Sequence, residues 1–103
     1  MAVTDMENEA AVAALAALAF ETRLQAVQLL ASVGGDGLAA GELSRRLGVQ
    51  QNTLSDHLRA LARSGIVTAE RRSRSIIYRA NPQTVSDLIS FLKERCSTGA
   101  TAP

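Results

Sequence analysis

Histidine, cysteine and aromatic residues are scarce in this 103-residue chain, which has one His, one Cys and three aromatic side chains. A single cysteine excludes an intrachain disulfide and fits a reducing compartment. Zinc sites need three or four nitrogen or sulfur ligands, so one Cys and one His exclude such a site within one protomer. Alanine and leucine supply most of the apolar share of 47%, and both residues favour helices.

The sequence also lacks a long apolar run and a basic leader. The longest apolar run, residues 10–20, is far shorter than the roughly 20 residues that a membrane-spanning helix needs. The first residues have no basic flank of the kind that signal peptides carry. We therefore expect a single cytoplasmic domain with no membrane partner.

Enzyme motifs are missing as well. The sequence shows no paired-carboxylate constellation and no glycine-rich phosphate loop, and "GGDG" at residues 34–37 indicates a turn. The one candidate base beside a nucleophile is His57, and it falls on a predicted exposed helix. We therefore expect no enzymatic activity.

Positive charge is concentrated in the middle of the chain. Residues 45–79 hold eight arginines against Asp56 and Glu70, a net formal charge of +6, whereas the remainder carries −5. A basic middle between acidic flanks is typical of a face that binds a polyanion. The alternative is a solvated basic surface without a partner.

Apolar periodicity predicts five helices. The first four cover residues 10–19, 21–33, 40–47 and 51–63, and the fifth begins at Pro82 with Asn81 as its N-cap. The apolar stripe of the first helix comprises Val12, Leu15, Leu18 and Ala19, the second turns Leu24, Val27 and Leu30 inward, and the last has Val85, Leu88, Ile89, Phe91 and Leu92.

β-Branched residues flank the sequence "RRSRS" after Gly65 and predict a two-stranded hairpin over residues 67–79. The order of helix, glycine turn, helix and basic hairpin indicates a winged helix-turn-helix fold, mainly α with a β-hairpin wing.

The helix predicted over residues 51–63 has two distinct faces. Leu54, Leu58 and Leu61 form a stripe directed at the core, and polar residues occupy the opposite side. Its first turn carries Gln51 and Asn52, whose amides both donate and accept, as an adenine edge in the major groove requires. The alternative is a solvent-exposed amphipathic helix whose polar face has no function.

Arginines near this helix are expected to contact DNA phosphates, with the hairpin suited to the minor groove. They are Arg59, Arg63, Arg71, Arg72 and Arg74. Asp56 is unfavourable beside phosphates unless it accepts from a cytosine amine or pairs with Arg59, three residues on.

Three stretches, "FETRLQAVQLL", "GELSRRLGVQQNTLSDHLRALARSGIV" and "RRSRSIIYRAN", occur in the order and spacing of one known family. Over residues 20–96 the chain resembles the ArsR (arsenic repressor) family of dimeric winged-helix repressors. The resemblance implies a homodimer joined by its first and last helices, operator DNA bound by residues 51–63 and 67–79, and repression relieved by an inducer.

Carried over by position, the resemblance gives base reading to Gln51, Asn52, Ser55 and Asp56, and has His57 reach a phosphate or support the helix. Gln50 departs from the family, which often has a capping Ser there. We expect residues 1–9 to be frayed, residues 10–95 to form the DNA-binding and dimerisation domain, and residues 96–103 to form a flexible tail.

Cys96, in "SFLKERCSTGA", resembles a branch of the family in which paired cysteines follow the last helix and bind arsenite, although Ser97 stands at the second position. Thiolates suit thiophilic metalloids, so As(III) or Sb(III) acting at Cys96 is the expected inducer, with no cofactor required. The alternatives are a thiol-redox signal at Cys96, a repressor in which Cys96 has no role, and a winged helix that binds a protein rather than DNA.

Overall fold

The computed structural model describes residues 5–97, which form five helices and a three-stranded antiparallel sheet. The helices are α1 (Asn8–Leu18), α2 (Glu21–Val33), α3 (Ala40–Leu47), α4 (Gln51–Arg63) and α5 (Pro82–Cys96). The strands are β1 (Leu38–Ala39), β2 (Val67–Arg72) and β3 (Ser75–Ala80), and a single 3-10 turn, Gly34–Asp36, follows α2. The predicted winged helix-turn-helix fold is confirmed.

Helix α1 packs inward through alanine rather than through its larger apolar residues. Ala11, Ala14 and Ala17 are buried, whereas Val12 is 63% exposed and Leu15 is 43% exposed. Small side chains let the helix lie close to its neighbours α2, α4 and α5. The Val12–Leu15 stripe therefore lies on the outer face of the protomer. The helix begins at Asn8, two residues before the expected start.

Helix α2 runs over the predicted residues and ends at Gly34, whose φ of +78° favours glycine. Leu30 and Ala26 are buried and Val27 is half-buried. The expectation that Leu24 points inward is wrong, because its side chain is 45% exposed. Leu24 instead adds to the apolar surface on the outside of the protomer.

Helices α3 and α4 form the helix-turn-helix. Gly48 ends α3 in the left-handed conformation, at φ +69° and ψ +30°, as the glycine at this position predicts. The predicted leucine stripe of α4 is confirmed, since Leu54, Leu58 and Leu61 are fully buried. These leucines pack in one core with Leu43 of α3, which fixes the opposite, polar face of α4 toward solvent.

The predicted hairpin is present, with a third strand that the sequence analysis did not predict. In the sheet order β1-β3-β2, Leu38 pairs with Tyr78 and Arg72 pairs with Ser75. The turn of the hairpin is therefore two residues long, and its first residue, Ser73, has a φ of +54°. We call β2, β3 and this turn the wing.

Helix α5 begins as predicted, with Asn81 Oδ1 accepting a hydrogen bond from the backbone N–H of Gln83 at 3.2 Å. Leu88 and Phe91 are buried, whereas Ile89 is 52% exposed. The helix extends through Cys96, which the sequence analysis placed in the tail. The rest of that expected tail beyond Ser97, and residues 1–4, lie outside the described residues.

No single helix in the described part of the chain has the length and apolar character to span a membrane. Helices α1 and α2 meet both requirements only when taken together, and the chain bends by 98° between them.

Candidate nucleic-acid interface

The first turn of α4 presents uncharged polar side chains to solvent. Gln51, Asn52 and Thr53 are exposed, and the turn contains no acidic residue. Gln50 precedes the helix in an extended conformation, at ψ +138°, and its side chain does not cap the helix. Backbone N–H groups of the first turn, which have no partner within a helix, are therefore open to an anion such as a DNA phosphate.

The polar face of α4 and the wing meet at a groove with a volume of about 230 Å³. Gln51, Ser55 and Arg59 line it from α4, and Arg74 lines it from the turn of the wing. The remaining walls come from the end of β1, the start of α3 and β3. The groove brings together four of the ten residues predicted to bind DNA, drawn from two elements that are separate in sequence. We call it the α4–wing groove.

Asp56 and Arg59 form an ion pair one turn apart on α4, with 2.5 Å between Oδ1 and Nη2. This is one of the two arrangements expected for Asp56. Both side chains are more than half exposed, so the pair adds little to stability. The ion pair matters more for the charge of the helix, because Arg59 offsets the negative charge of Asp56, the one carboxylate on α4.

The arginines of α3 have a carboxylate partner of their own. Glu42 accepts hydrogen bonds from Arg45 and Arg46, at 2.8 Å in the case of Arg46 Nε. The Arg46 hydrogen bond, followed by that of Arg45, holds the pKa of Glu42 below its usual value. Much of the positive charge on α3 is therefore offset within the helix.

A second paired carboxylate lies at the base of the wing. Glu70 Oε1 accepts from Arg79 Nη1 at 2.8 Å, and Glu70 Oε2 lies 3.6 Å from Arg72 Nε. The Arg79 hydrogen bond, followed by the charge of Arg72, lowers the pKa of Glu70. Arg79 also donates from Nε to the Gly35 carbonyl at 2.7 Å, which ties the wing to the end of α2.

Arg71 and Arg74 differ from the other wing arginines. Both are exposed, and no described carboxylate lies within ion-pair distance of either one. The unpaired positive charge of the wing is therefore concentrated near its turn, as contact with a phosphate backbone requires. Arg72 shares Glu70 with Arg79, and its phosphate contact stays a prediction.

His57 packs against α2. Its Nδ1 accepts a hydrogen bond from Arg23 Nε at 3.0 Å, and its ring centroid lies 6.0 Å from that of Phe20. The half-buried imidazole thus supports the helix, one of the two roles expected of it, and phosphate contact remains a prediction. Sequence reasoning missed Arg23 and Phe20, because 34 residues separate Arg23 from His57.

Arg63 lies outside the α4–wing groove. It lines a separate depression of about 370 Å³ with Phe20, Arg23 and alanines of α1. Asn52, Asp56 and Arg71 lie at the exposed surface, and they too are outside the α4–wing groove. Their predicted DNA contacts depend on a broader surface than the groove itself.

Cys96 is exposed on the last turn of α5. Within residues 5–97, no three His, Cys, Asp or Glu side chains come together in a group that could hold a metal ion. A metalloid at Cys96 would therefore need thiolates from more than one protomer.

The helix-turn-helix, the wing and the basic face that they share define a winged helix-turn-helix DNA-binding regulator. A family profile described as "Helix-turn-helix domain" matches residues 18–70. Together with the relatives and solved structures described next, this match places the chain in the ArsR family of transcriptional regulators.

Two curated relatives illustrate the relationship. The chain is 35% identical over 94 residues to the transcriptional activator HlyU of Vibrio cholerae, covering 89% of this chain and 84% of the relative. It is 37% identical over 90 residues to a biofilm growth-associated repressor of Xylella fastidiosa, covering 85% of this chain and 76% of the relative. Both relatives are described as transcription regulators, the first as an activator and the second as a repressor.

Solved structures agree on the fold. An ArsR-like transcriptional regulator from Rhodococcus superposes with a TM-score of 0.70 at 28% identity, covering 84% of this chain and 78% of that one. A Mycobacterium bovis domain, described as a homodimeric winged helix-turn-helix DNA-binding domain, superposes with a TM-score of 0.69 at 23% identity, over 96% of this chain and 95% of that one.

Proposed function

We propose that this regulator is a homodimeric repressor that binds operator DNA through α4 and the wing. The observation that carries the proposal is the α4–wing groove, where Gln51, Ser55, Arg59 and Arg74 converge. Amide and hydroxyl groups suit base edges, and the two arginines suit either guanine or phosphate. The exposed arginines at the turn of the wing extend the same surface toward a DNA backbone.

Dimerisation is supported by apolar side chains on the outer faces of α1 and α5. Val12 and Leu15 on α1 and Ile89 on α5 are all more than 40% exposed, and the two helices pack against each other. Pairing these helices across a twofold axis would remove that apolar surface from water. The homodimeric description of the Mycobacterium bovis domain points the same way. Two α4 helices about 34 Å apart would reach successive major grooves of a palindromic site.

Repression is favoured over activation by the family resemblance and by the Xylella fastidiosa relative, which is described as a repressor. A repressor needs only to occupy a promoter.

Selection from a randomised duplex library, followed by sedimentation of the complex, tests the proposal. We expect a palindromic site bound by two chains. Affinity for that site should fall by orders of magnitude between about 50 and 200 mM salt, because several arginines displace counterions. A winged helix that binds a protein partner would instead recover no site.

For the inducer, we propose As(III) or Sb(III) bound by Cys96. The exposed thiol supports this, since a metalloid can reach it, and a homodimer would carry a second Cys96. Oxidation of the same thiol is the alternative, because exposed cysteines oxidise readily.

The Cys96→Ser variant separates these inducers. We expect it to bind the selected site like the wild type but to stay bound when arsenite or antimonite is added. Wild-type release by peroxide alone would favour the redox alternative, and release of the variant by arsenite would remove Cys96 from the mechanism.

A further inference from the structure

Arg23 joins three helices through one side chain. Its guanidinium carbon lies 3.9 Å from the centroid of the Phe20 ring, a cation–π contact at the start of α2. Its Nε donates to His57 Nδ1 in α4 at 3.0 Å, and its Nη1 lies 3.5 Å from the carbonyl oxygen of Ala17 near the end of α1. The corner between α1 and α2 is thereby tied to the helix that carries Gln51 and Asn52.

The hydrogen bond between Arg23 and His57 requires one particular form of the imidazole. Arginine is always a donor, so Nδ1 of His57 must accept, and the ring must be neutral with its proton on Nε2. A protonated ring carries N–H groups on both nitrogens and has no acceptor left. Protonation would therefore replace a hydrogen bond by two cations in contact.

The described contacts of the His57 ring, with Arg23 and Phe20, include no carboxylate that could offset an added positive charge. In the described part of the chain, Arg23 from α2 and Arg63 from α4 border the same depression, and α1 contributes alanine side chains and a backbone carbonyl. Asp56 precedes His57 in α4, but its carboxylate is paired with Arg59. A charged His57 would thus face Arg23 without a free carboxylate among these neighbours.

We propose that Arg23, Phe20 and His57 form a clamp that positions α4 for DNA recognition, and that protonation of His57 opens it. This inference rests on the proposed DNA-binding function. Arg23 is a positioning residue, since it acts on DNA through the placement of α4. Protonation of His57 would remove the acceptor for Arg23, so the clamp makes sequence-specific binding sensitive to acidification.

The test measures the affinity ratio between the selected site and a scrambled duplex, at constant salt, from about pH 8 down to about pH 5.5. The ratio removes the general gain in DNA affinity that any added positive charge brings. We expect the wild-type ratio to fall about tenfold, which is the size of effect that a hydrogen bond to a charged donor supports. His57→Asn keeps an acceptor oxygen but cannot titrate, and should hold the ratio constant.

Two further variants separate positioning from charge. His57→Phe keeps a ring without an acceptor, and should show the low ratio at both ends of the pH range. Arg23→Lys keeps the charge but loses the Nε donor, and should also lower the ratio. Arg95→Lys is the matched control, because Arg95 makes a comparable contact with the Phe91 ring, at 5.4 Å, within α5.

A second readout does not depend on DNA. His57 is the only histidine in the chain, so imidazole ¹⁵N resonances of the untagged protein report on it alone. We expect an Nε2–H tautomer at about pH 8 and loss of α4 amide protection on acidification. A proton on Nδ1 at that pH, or a His57→Asn ratio that falls with the wild type, would overturn the clamp. If no duplex is bound specifically, the proposed function fails, and the resonances still decide whether the clamp exists.

Discussion

Leu38 of β1 and Tyr78 of β3 are directly paired across the sheet. This pairing attaches the connection between α2 and α3 to the wing, so the wing is not an isolated hairpin. The preceding residue, Gly37, is buried at φ +66°, and a Cβ there would lie 2.5 Å from the Tyr78 carbonyl oxygen. The wing is therefore held against the helical body at a point that only glycine can occupy.

Replacing Gly37 by alanine should destabilise the protein by about 2–4 kcal/mol, because strain at positive φ adds to a backbone clash. Gly35→Ala is the matched control two residues away, since a Cβ at Gly35 meets nothing within 4 Å. Urea unfolding of both variants gives the comparison. Equal stabilities would contradict the close approach of Gly37 to β3.

The sequence predicted the helices well because their signals are local. Leucines three and four residues apart define the buried face of α4, and Asn81 followed by Pro82 defines the start of α5. Strand β1 has only two residues, and its partner Tyr78 lies 40 positions away, so no local pattern marks it. The contact between Arg23 and His57 was missed for the same reason.

Helix α1 shows a different limit of sequence reasoning. It has two apolar stripes, one of alanines and one containing Val12 and Leu15, and the sequence pattern led us to name only the second. The structure buries the alanines instead. Close packing against three helices selects small side chains, and that requirement depends on neighbours that the sequence of α1 does not contain.

The carboxyl group of Glu70 should titrate below its usual value of 4.5 because Arg79 donates a hydrogen bond to its charged form. Because the pKa is lowered, the contact contributes its full stabilisation of the wing at pH values above the usual pKa. That stabilisation is lost as the pH falls through the lowered pKa. Carboxyl ¹³C resonances measure the midpoint. In Arg79→Met the midpoint of Glu70 should rise, whereas that of Glu42, paired with Arg45 and Arg46, should stay low.

Arg74→Ala should weaken binding to every duplex and reduce the slope of log affinity against log salt by about one, as the loss of a single phosphate contact does. Its guanidinium lines the α4–wing groove and has no carboxylate within ion-pair distance among the described residues. Arg95→Ala, on the exposed surface of α5, is the control and should leave the slope unchanged. An unaltered slope for Arg74→Ala would place the turn of the wing away from the DNA.

Gln51→Ala and Asn52→Ala should relax sequence preference rather than weaken binding uniformly. Both side chains are exposed on the first turn of α4, the end of a recognition helix that reaches base edges. Each substitution should cost about 1–3 kcal/mol at one base position and little elsewhere. Thr53→Ala, in the same exposed turn, is the control for a loss of helix stability. Selection from a randomised library reports the preference at every position. If both variants recover the wild-type site with undiminished selectivity, base reading belongs to other residues of the surface.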